Sequence, residues 1–402
     1  MKNEKILNVI GQVNDEYIEE AAQKKEEGQK RTWVKWSLLT ACLLLTVSAG
    51  ILFLPTILSE LKISIEARNL PMLTISSESG GMGFEACLAY DISELANGNP
   101  WTVNSKLNTM PVYKNTPYYS SGIPAAGIGK EGMLELAEQA ANALGMEITD
   151  TKYEVNEKPG YKSGYKSEAS LDDNDVIEYV IAETATAKIA VTRSGMVTIN
   201  FTEGLELPAE YYFKNEDISD EEAKSVTDYL LERYAAFVSF DQPQKALFAD
   251  YNIYGSRHRS YDAYDAAGSL TEQILNYNFN KVSFALDNGN LSAMGKSNQL
   301  TLAEKIGDYP IIASEEAAEL LLNGNYFTSV PEKMPGEEYV VKTELVYRAP
   351  EEGFAGTSLP CYRFWVELTD MQQENGLKTY GAYYVPAVQQ KYLNPIAPEV
   401  MK

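Results

Sequence analysis

Side chains able to do covalent or metal chemistry are few in this chain. Its only histidine, His258, stands in Arg257-His258-Arg259, and its three cysteines are Cys42, Cys87 and Cys361, in a length of 402 residues. Structural and hydrolytic zinc sites need a second imidazole or a cysteine cluster, so neither is indicated. A Ser-His-Asp triad would have to use His258. Its arginine neighbours repel the imidazolium that must form, and no carboxylate adjoins it to orient the ring. His258 is therefore read as a surface residue in a basic patch. Buried free thiols are the default reading for Cys87 and Cys361, with a single disulfide between them as the alternative.

Four short motifs match in letters and fail in context. Gly127-Ile128-Gly129-Lys130-Glu131-Gly132 fits GxGxxG and opens a helix, but no strand precedes it, as a dinucleotide site requires. It also fails as a phosphate-binding loop, because Pro124 and Glu131 stand where Gly and Ser or Thr belong. Ser163-Gly164-Tyr165-Lys166 fits SxxK without a helix start or a later Lys-Thr-Gly. Asp172-Asp173-Asn174-Asp175 with Glu178 lacks the mid-loop glycine and final spacing of a calcium loop. Of 57 acidic residues, seven precede residue 36. The other 50 offer many carboxylate pairs for glycoside hydrolysis and single out none. No catalytic, cofactor or metal residue is assigned, and a non-enzymatic role is expected.

The elements that would position any site begin with Trp36–Leu58, 23 residues without a charge. At a rise of about 1.5 Å per residue they reach roughly 35 Å, the length of a tilted transmembrane helix. Lys24, Lys25, Lys30, Arg31 and Lys35 precede the run and only Lys62 and Arg68 follow closely. Residues 1–35 are thus expected in the cytoplasm and 59–402 outside, with Trp33 and Trp36 at the inner interface. A cleaved signal peptide ending near Ser48-Ala49-Gly50 and a lipobox at Leu39–Cys42 are rival readings. The apolar run continues past both.

In the 35-residue tail, Ile6, Ile10, Val13 and Tyr17 recur at helical spacing. A segment too short for its own core must lay that stripe on a protein, on a second copy or on the bilayer surface, and these residues are the partner-binding candidates. Ser76–Gly81 marks 59–83 as a tether. Two domains are expected beyond it, 84–242 and 245–396. The first has a helix over 130–144 and a hairpin turn at Arg193-Ser194-Gly195. A capping box, Ser219 with Glu222, opens its last helix. The second has a helix near 269–277, an Asn-Gly hairpin at Asp287-Asn288-Gly289-Asn290, and a helix capped by Ser314. It closes with three half-buried strands, in one of which Lys342, Glu344 and Arg348 share the solvent face. The net charge of −23 argues against nucleic acid and suits solubility or a cationic ligand.

Three passages carry a resemblance: Asn14-Asp15-Glu16-Tyr17-Ile18-Glu19-Glu20-Ala21, Ala89-Tyr90-Asp91-Ile92-Ser93-Glu94-Leu95 and Gly307-Asp308-Tyr309-Pro310-Ile311-Ile312. With them the chain resembles a group of single-pass envelope proteins of Gram-positive bacteria with no assigned activity. Its tail-span-ectodomain layout resembles that of anti-sigma factors. The C-terminal pattern is similar to PepSY and YycH/YycI envelope modules. The expected fold is α+β: a cytoplasmic helical tail, one transmembrane helix and two extracytoplasmic α+β domains with antiparallel sheets. The expected role is that of a membrane-anchored receptor or regulator. Its partners would be the lipid bilayer through 36–58, a cytoplasmic protein on 1–35 (a sigma factor, by the resemblance) and an extracytoplasmic ligand. An envelope enzyme or inhibitor with a simple N-terminal anchor is the alternative.

Overall fold

The computed structural model describes residues 69–75 and 88–394, less 116–118, 121–122, 125–126, 157–163, 172–175, 212–217, 252–256, 288, 329, 349–355, 372 and 374. The chain divides into two units, 1–69 and 70–402. The expected tail, 1–35, and span, 36–58, lie outside the described residues. Among the described residues no helix is long and apolar enough to cross a membrane. The fold expectation is corrected accordingly. What is described is α+β dominated by antiparallel sheet, with five α-helices of 4 to 14 residues, and not a helical tail and membrane helix leading two ectodomains. Part of the expected tether is also fixed in place. Leu73 and Ile75 are buried, and Leu73 exchanges backbone hydrogen bonds with Tyr392 and Asn394.

The larger sheet has ten strands: β5 (Ile148–Asn156), β6 (Gly164–Ser167), β7 (Val176–Thr184), β8 (Ala187–Thr192), β9 (Val197–Glu206), β10 (Pro243–Lys245), β11 (Phe248–Tyr251), β12 (Arg257–Asp265), β13 (Lys281–Asp287) and β14 (Asn290–Lys296). The smaller has six: β1 (Leu88–Ala89), β2 (Thr109–Asn115), β15 (Ala303–Pro310), β16 (Val340–Arg348), β17 (Gly356–Glu367) and β18 (Tyr380–Pro386). A two-residue ribbon, β3 (Tyr119–Ser120) with β4 (Ile123–Pro124), stands apart.

These sheets overturn the expected divide at 242–245. β14 pairs with β9 from Asn290↔Glu206 to Lys296↔Val197, so one sheet runs straight across it. β2, from the expected first domain, pairs with β15 and β17 in the other sheet. Residues 70–402 form one compact unit.

One face of the ten-stranded sheet carries the core. Tyr153, Val180, Ile189, Ile199, Phe284 and Met294 alternate inward along their strands, as a one-sided sheet requires. Helix α1 (Lys130–Ala143) packs on them through Met133, Ala137, Ala140 and Ala141, and its alanines let it lie close to the strands. Helix α2 (Asp220–Arg233) adds Ala223, Val226, Leu230 and Leu231, and the single turn α3 (Ala235–Val238) adds Phe237 and Val238. The capping box that opens α2 is formed. Glu222 N–H donates to Ser219 Oγ at 3.2 Å, and Ser219 N–H donates to Glu222 Oε2 at 2.8 Å. Helix α4 (Leu270–Phe279) has the same box from Ser269 and Glu272. Helix α5 (Ser314–Leu322) starts one residue earlier than its serine suggests: Ala313 is the cap, because its carbonyl accepts from Ala317 N–H.

The six-stranded sheet departs furthest from expectation. Every residue of β18 is buried, and β17 is buried over Ser358–Tyr362 and Phe364–Val366. Half-burial fails here because Tyr277 of α4 and the loop at 95–99 reach the Glu344 and Arg363 face, which alternation suggested was open, while α5 packs through Ala317 and Leu321 on the face already expected to be buried. Helix α4 joins the two sheets. Ile274 enters the core of the smaller one, while Tyr277 packs edge-on against Tyr264 of the larger.

Candidate functional site

The face of the ten-stranded sheet opposite the core holds a trough of about 620 Å³ over β9, β12, β13 and β14. The core-side row Tyr261, Phe284, Met294 and Ile199 fixes by alternation which residues point the other way. Asp262, Ser283, Gly295 and Thr198 form one row across the four strands. Ala285 faces Ala293 in the next. The floor is low because these side chains are small, not because the backbone is broken. A Cβ built on Gly295 would stop 3.5 Å from Val197 O, an ordinary contact, so the space above it is open. The trough falls within the usual size range of small-molecule sites.

At one end Asp262 lies within the field of Lys281. Burial pushes the Asp262 carboxyl up, against the opposing pull of the Lys281 charge and a hydrogen bond from Ser283. Burial pushes Lys281 down, offset by Asp262 and reinforced by the Arg363 charge. Lys281 does not line the trough. Its Nζ lies 4.6 Å from the centre of the Tyr277 ring, a cation–π contact. Behind it, where the two sheets meet, Glu344 of β16 is 1% exposed. Its Oε2 accepts from Arg363 Nε at 2.9 Å, from Arg363 Nη2 at 2.6 Å and from Trp365 Nε1 at 3.0 Å. Lys342 Nζ lies 2.5 Å from its Oε1. The strand face expected to meet solvent is thus a buried ionic cluster. Of the other charges at the trough, Arg259 is paired with Asp220 at 2.6 Å, Lys296 Nζ donates to Val238 O at 2.8 Å, and Asp287 lies beside the hairpin turn.

The residues singled out from sequence fare differently. Ile6, Ile10, Val13, Tyr17 and Cys87 lie outside the described residues, as do Ser163 and Asp172–Asp175. Cys361, half of the candidate disulfide, is a fully buried free thiol whose pKa burial raises to about 12. It is therefore not a nucleophile at neutral pH. His258 is exposed at the trough rim. Among the described residues no three His, Cys, Asp or Glu side chains come together as a metal set.

The GxGxxG run has a structural use. Gly127 adopts φ +122°, and a Cβ there would stand 2.7 Å from Arg193 O. The backbone passes so close to the β8–β9 turn that Ile128 N–H donates to Arg193 O at 2.9 Å. Gly127→Ala will therefore cost about 1–3 kcal/mol, read as a lowered urea midpoint with an unchanged slope. A neutral result would mean that this contact does not hold α1 in place.

Sequence reading missed Thr198, Asp262, Lys281, Ser283 and Gly295. One signal was present: small residues alternate with core residues in both strands of the Asn-Gly hairpin, Ser283 and Ala285 in one, Ala293 and Gly295 in the other. That pattern marks a low surface, but nothing in it says that β9 and β12 extend the floor on either side. No family model matches the chain, and no curated protein matches it.

Proposed function

We propose that the protein is a non-enzymatic binding protein, of receptor or regulator type, whose ligand seat is the trough over β9, β12, β13 and β14. The observation that carries this reading is the floor itself. Four neighbouring strands present small side chains on the one face that no helix of the core covers. A sheet face with no use beyond solubility carries long charged side chains, as this same face does further along at Lys152, Glu183 and Lys188. The reading rests on residues 88–394 alone.

A catalytic alternative draws support from the Asp262–Lys281 pair, since perturbed acids and bases gather at active sites. The binding reading is preferred because Lys281 is turned to Tyr277 and away from the trough, and Ser283 donates to Asp262 instead of to a base.

Thermal-shift screening of the full chain against small polar molecules tests the reading. Any ligand that raises Tm will lose its effect in Gly295→Leu and in Ala293→Leu, which fill the floor from two strands. Control melts should report both variants as folded, because neither residue belongs to the buried core. A shift that survives both substitutions would place binding elsewhere and end the proposal.

A further inference from the structure

We propose that the trough takes an uncharged polyhydroxylated ligand, a polyol or short saccharide, held by hydroxyl and carboxyl groups of its floor. This rests on the binding role proposed above and narrows it to a ligand class.

Three observations converge on that class. First, the cations at the trough do not converge on it. Arg259 is engaged by Asp220 at 2.6 Å and by the Ile218 carbonyl. Lys296, whose backbone lines one end, sends its Nζ to Val238 O at 2.8 Å on the core side. A phosphate or other anion needs cations converging on one point, and the floor offers none. The Asp262 carboxyl already feels the Lys281 charge, which weakens its pull on a cationic ligand.

Second, the groups that remain are hydroxyls. Ser260, Ser283 and Thr198 stand on the ligand side of three strands. A hydroxyl both donates and accepts, and the Asp262 carboxyl between Ser260 and Ser283 adds acceptor capacity. Such a surface complements a molecule whose own edge is a series of hydroxyls.

Third, the floor has no aromatic face. Tyr261 and Phe284 belong to the opposite, core side. Nucleobases and other flat rings bind by stacking and find no platform here. An acyl chain would have to bury the Ser283 hydroxyl and the Asp262 carboxyl against methylene groups, which is costly. A saturated polar ligand lying flat above Ala285, Ala293 and Gly295 incurs neither penalty. The volume of about 620 Å³ admits one of two or three sugar rings.

The test is calorimetric titration of the full chain with three classes of probe: neutral polyols (sorbitol, maltose and maltotriose), the dication putrescine, and inorganic phosphate. The expected result is saturable binding of at least one neutral polyol and of neither ion. Ser283→Ala should weaken it about three- to tenfold, the loss of one neutral hydrogen bond. Gly295→Leu and Ala293→Leu should abolish it, while thermal melts report both variants as folded. Binding of putrescine or phosphate alone, lost on filling the floor, would overturn the ligand class and leave the binding role standing. Absence of binding by every probe, or polyol binding unchanged by both fillings, would overturn this proposal. In the second case the binding role assigned to the trough falls with it.

Discussion

Replacing Glu344 by alanine will lower the stability of the protein by about 3–5 kcal/mol, the usual cost of removing one partner from a buried ion cluster. The carboxylate is 1% exposed, and the Arg363 and Lys342 side chains around it are 16% and 29% exposed. With Glu344 gone, the Arg363 guanidinium loses two charge-assisted hydrogen bonds and keeps its charge beside the Trp365 ring. Trp365 Nε1–H loses its acceptor as well. Chemical denaturation followed by Trp fluorescence reads the change. A loss below about 1 kcal/mol would mean that water replaces the carboxylate without penalty, as at exposed ion pairs.

The same residue shapes the acid limb of stability. Burial would raise the Glu344 carboxyl, but the Arg363 and Lys342 charges and their hydrogen bonds overcome it, and the net displacement is downward. In the unfolded chain a glutamate titrates near about 4.3. A group depressed in the folded state contributes stability that is fully present above its unfolded value. That stability is lost as pH falls through the folded value. Wild-type protein should therefore lose stability faster than Glu344→Gln between about pH 5 and pH 3. The difference between the two curves isolates Glu344 from other depressed carboxyls such as Asp265 and Glu222. Parallel curves would show that the cluster does not hold the carboxylate ionised.

The second large effect concerns the join between the sheets. Phe279, at the end of α4, is 3% exposed and meets Tyr347 of β16 edge-on, with ring centres 5.0 Å apart. Tyr347 is also tied to its own sheet and to α4: its hydroxyl donates to Pro111 O of β2 at 2.7 Å, and its N–H donates to Asn278 Oδ1 at 3.0 Å. Phe279→Ala removes a large buried ring at this seam and will cost about 3–5 kcal/mol. Unfolding should remain a single transition, shifted as a whole. Trp101 and Trp365 report the six-stranded side, while far-ultraviolet circular dichroism weighs the ten-stranded sheet more heavily. Coincident curves support one cooperative unit. A variant whose two signals separate would show that each sheet folds alone and that α4 is only a tether between them.

A second lock lies nearby. Gly98 adopts φ +75°, and a Cβ there would come within 2.6 Å of Lys245 O. The 95–99 loop therefore threads against β10 while Asn99 Nδ2 donates to Leu345 O of β16 at 3.1 Å. Both ties span more than 140 residues of chain, and neither leaves a trace in local patterning.

Helix ends, turns and inward faces were legible because they depend on neighbours in sequence. Ser219 and Glu222 cap their helix through side chains three residues apart. The Asp287–Asn290 turn closes its hairpin, and the alternation of Val197, Ile199 and Phe201 marks one face. Each of these outcomes is decided by backbone geometry over a few residues. The partners of those faces were decided elsewhere. Alternation says that β9 has a buried side but not that β14, some 90 residues later, completes its ladder, because any strand of matching length can offer the same hydrogen bonds. The expected division at 242–245 failed for that reason. Lys342 and Glu344 were read as a solvated face because charge usually means water. Only the arrival of Arg363, Trp365 and the 95–99 loop makes burial of a carboxylate tolerable. The trough belongs to the same class of fact. Its small residues were visible one strand at a time, but a floor exists only when four strands stand side by side, and long-range pairing alone brings them there.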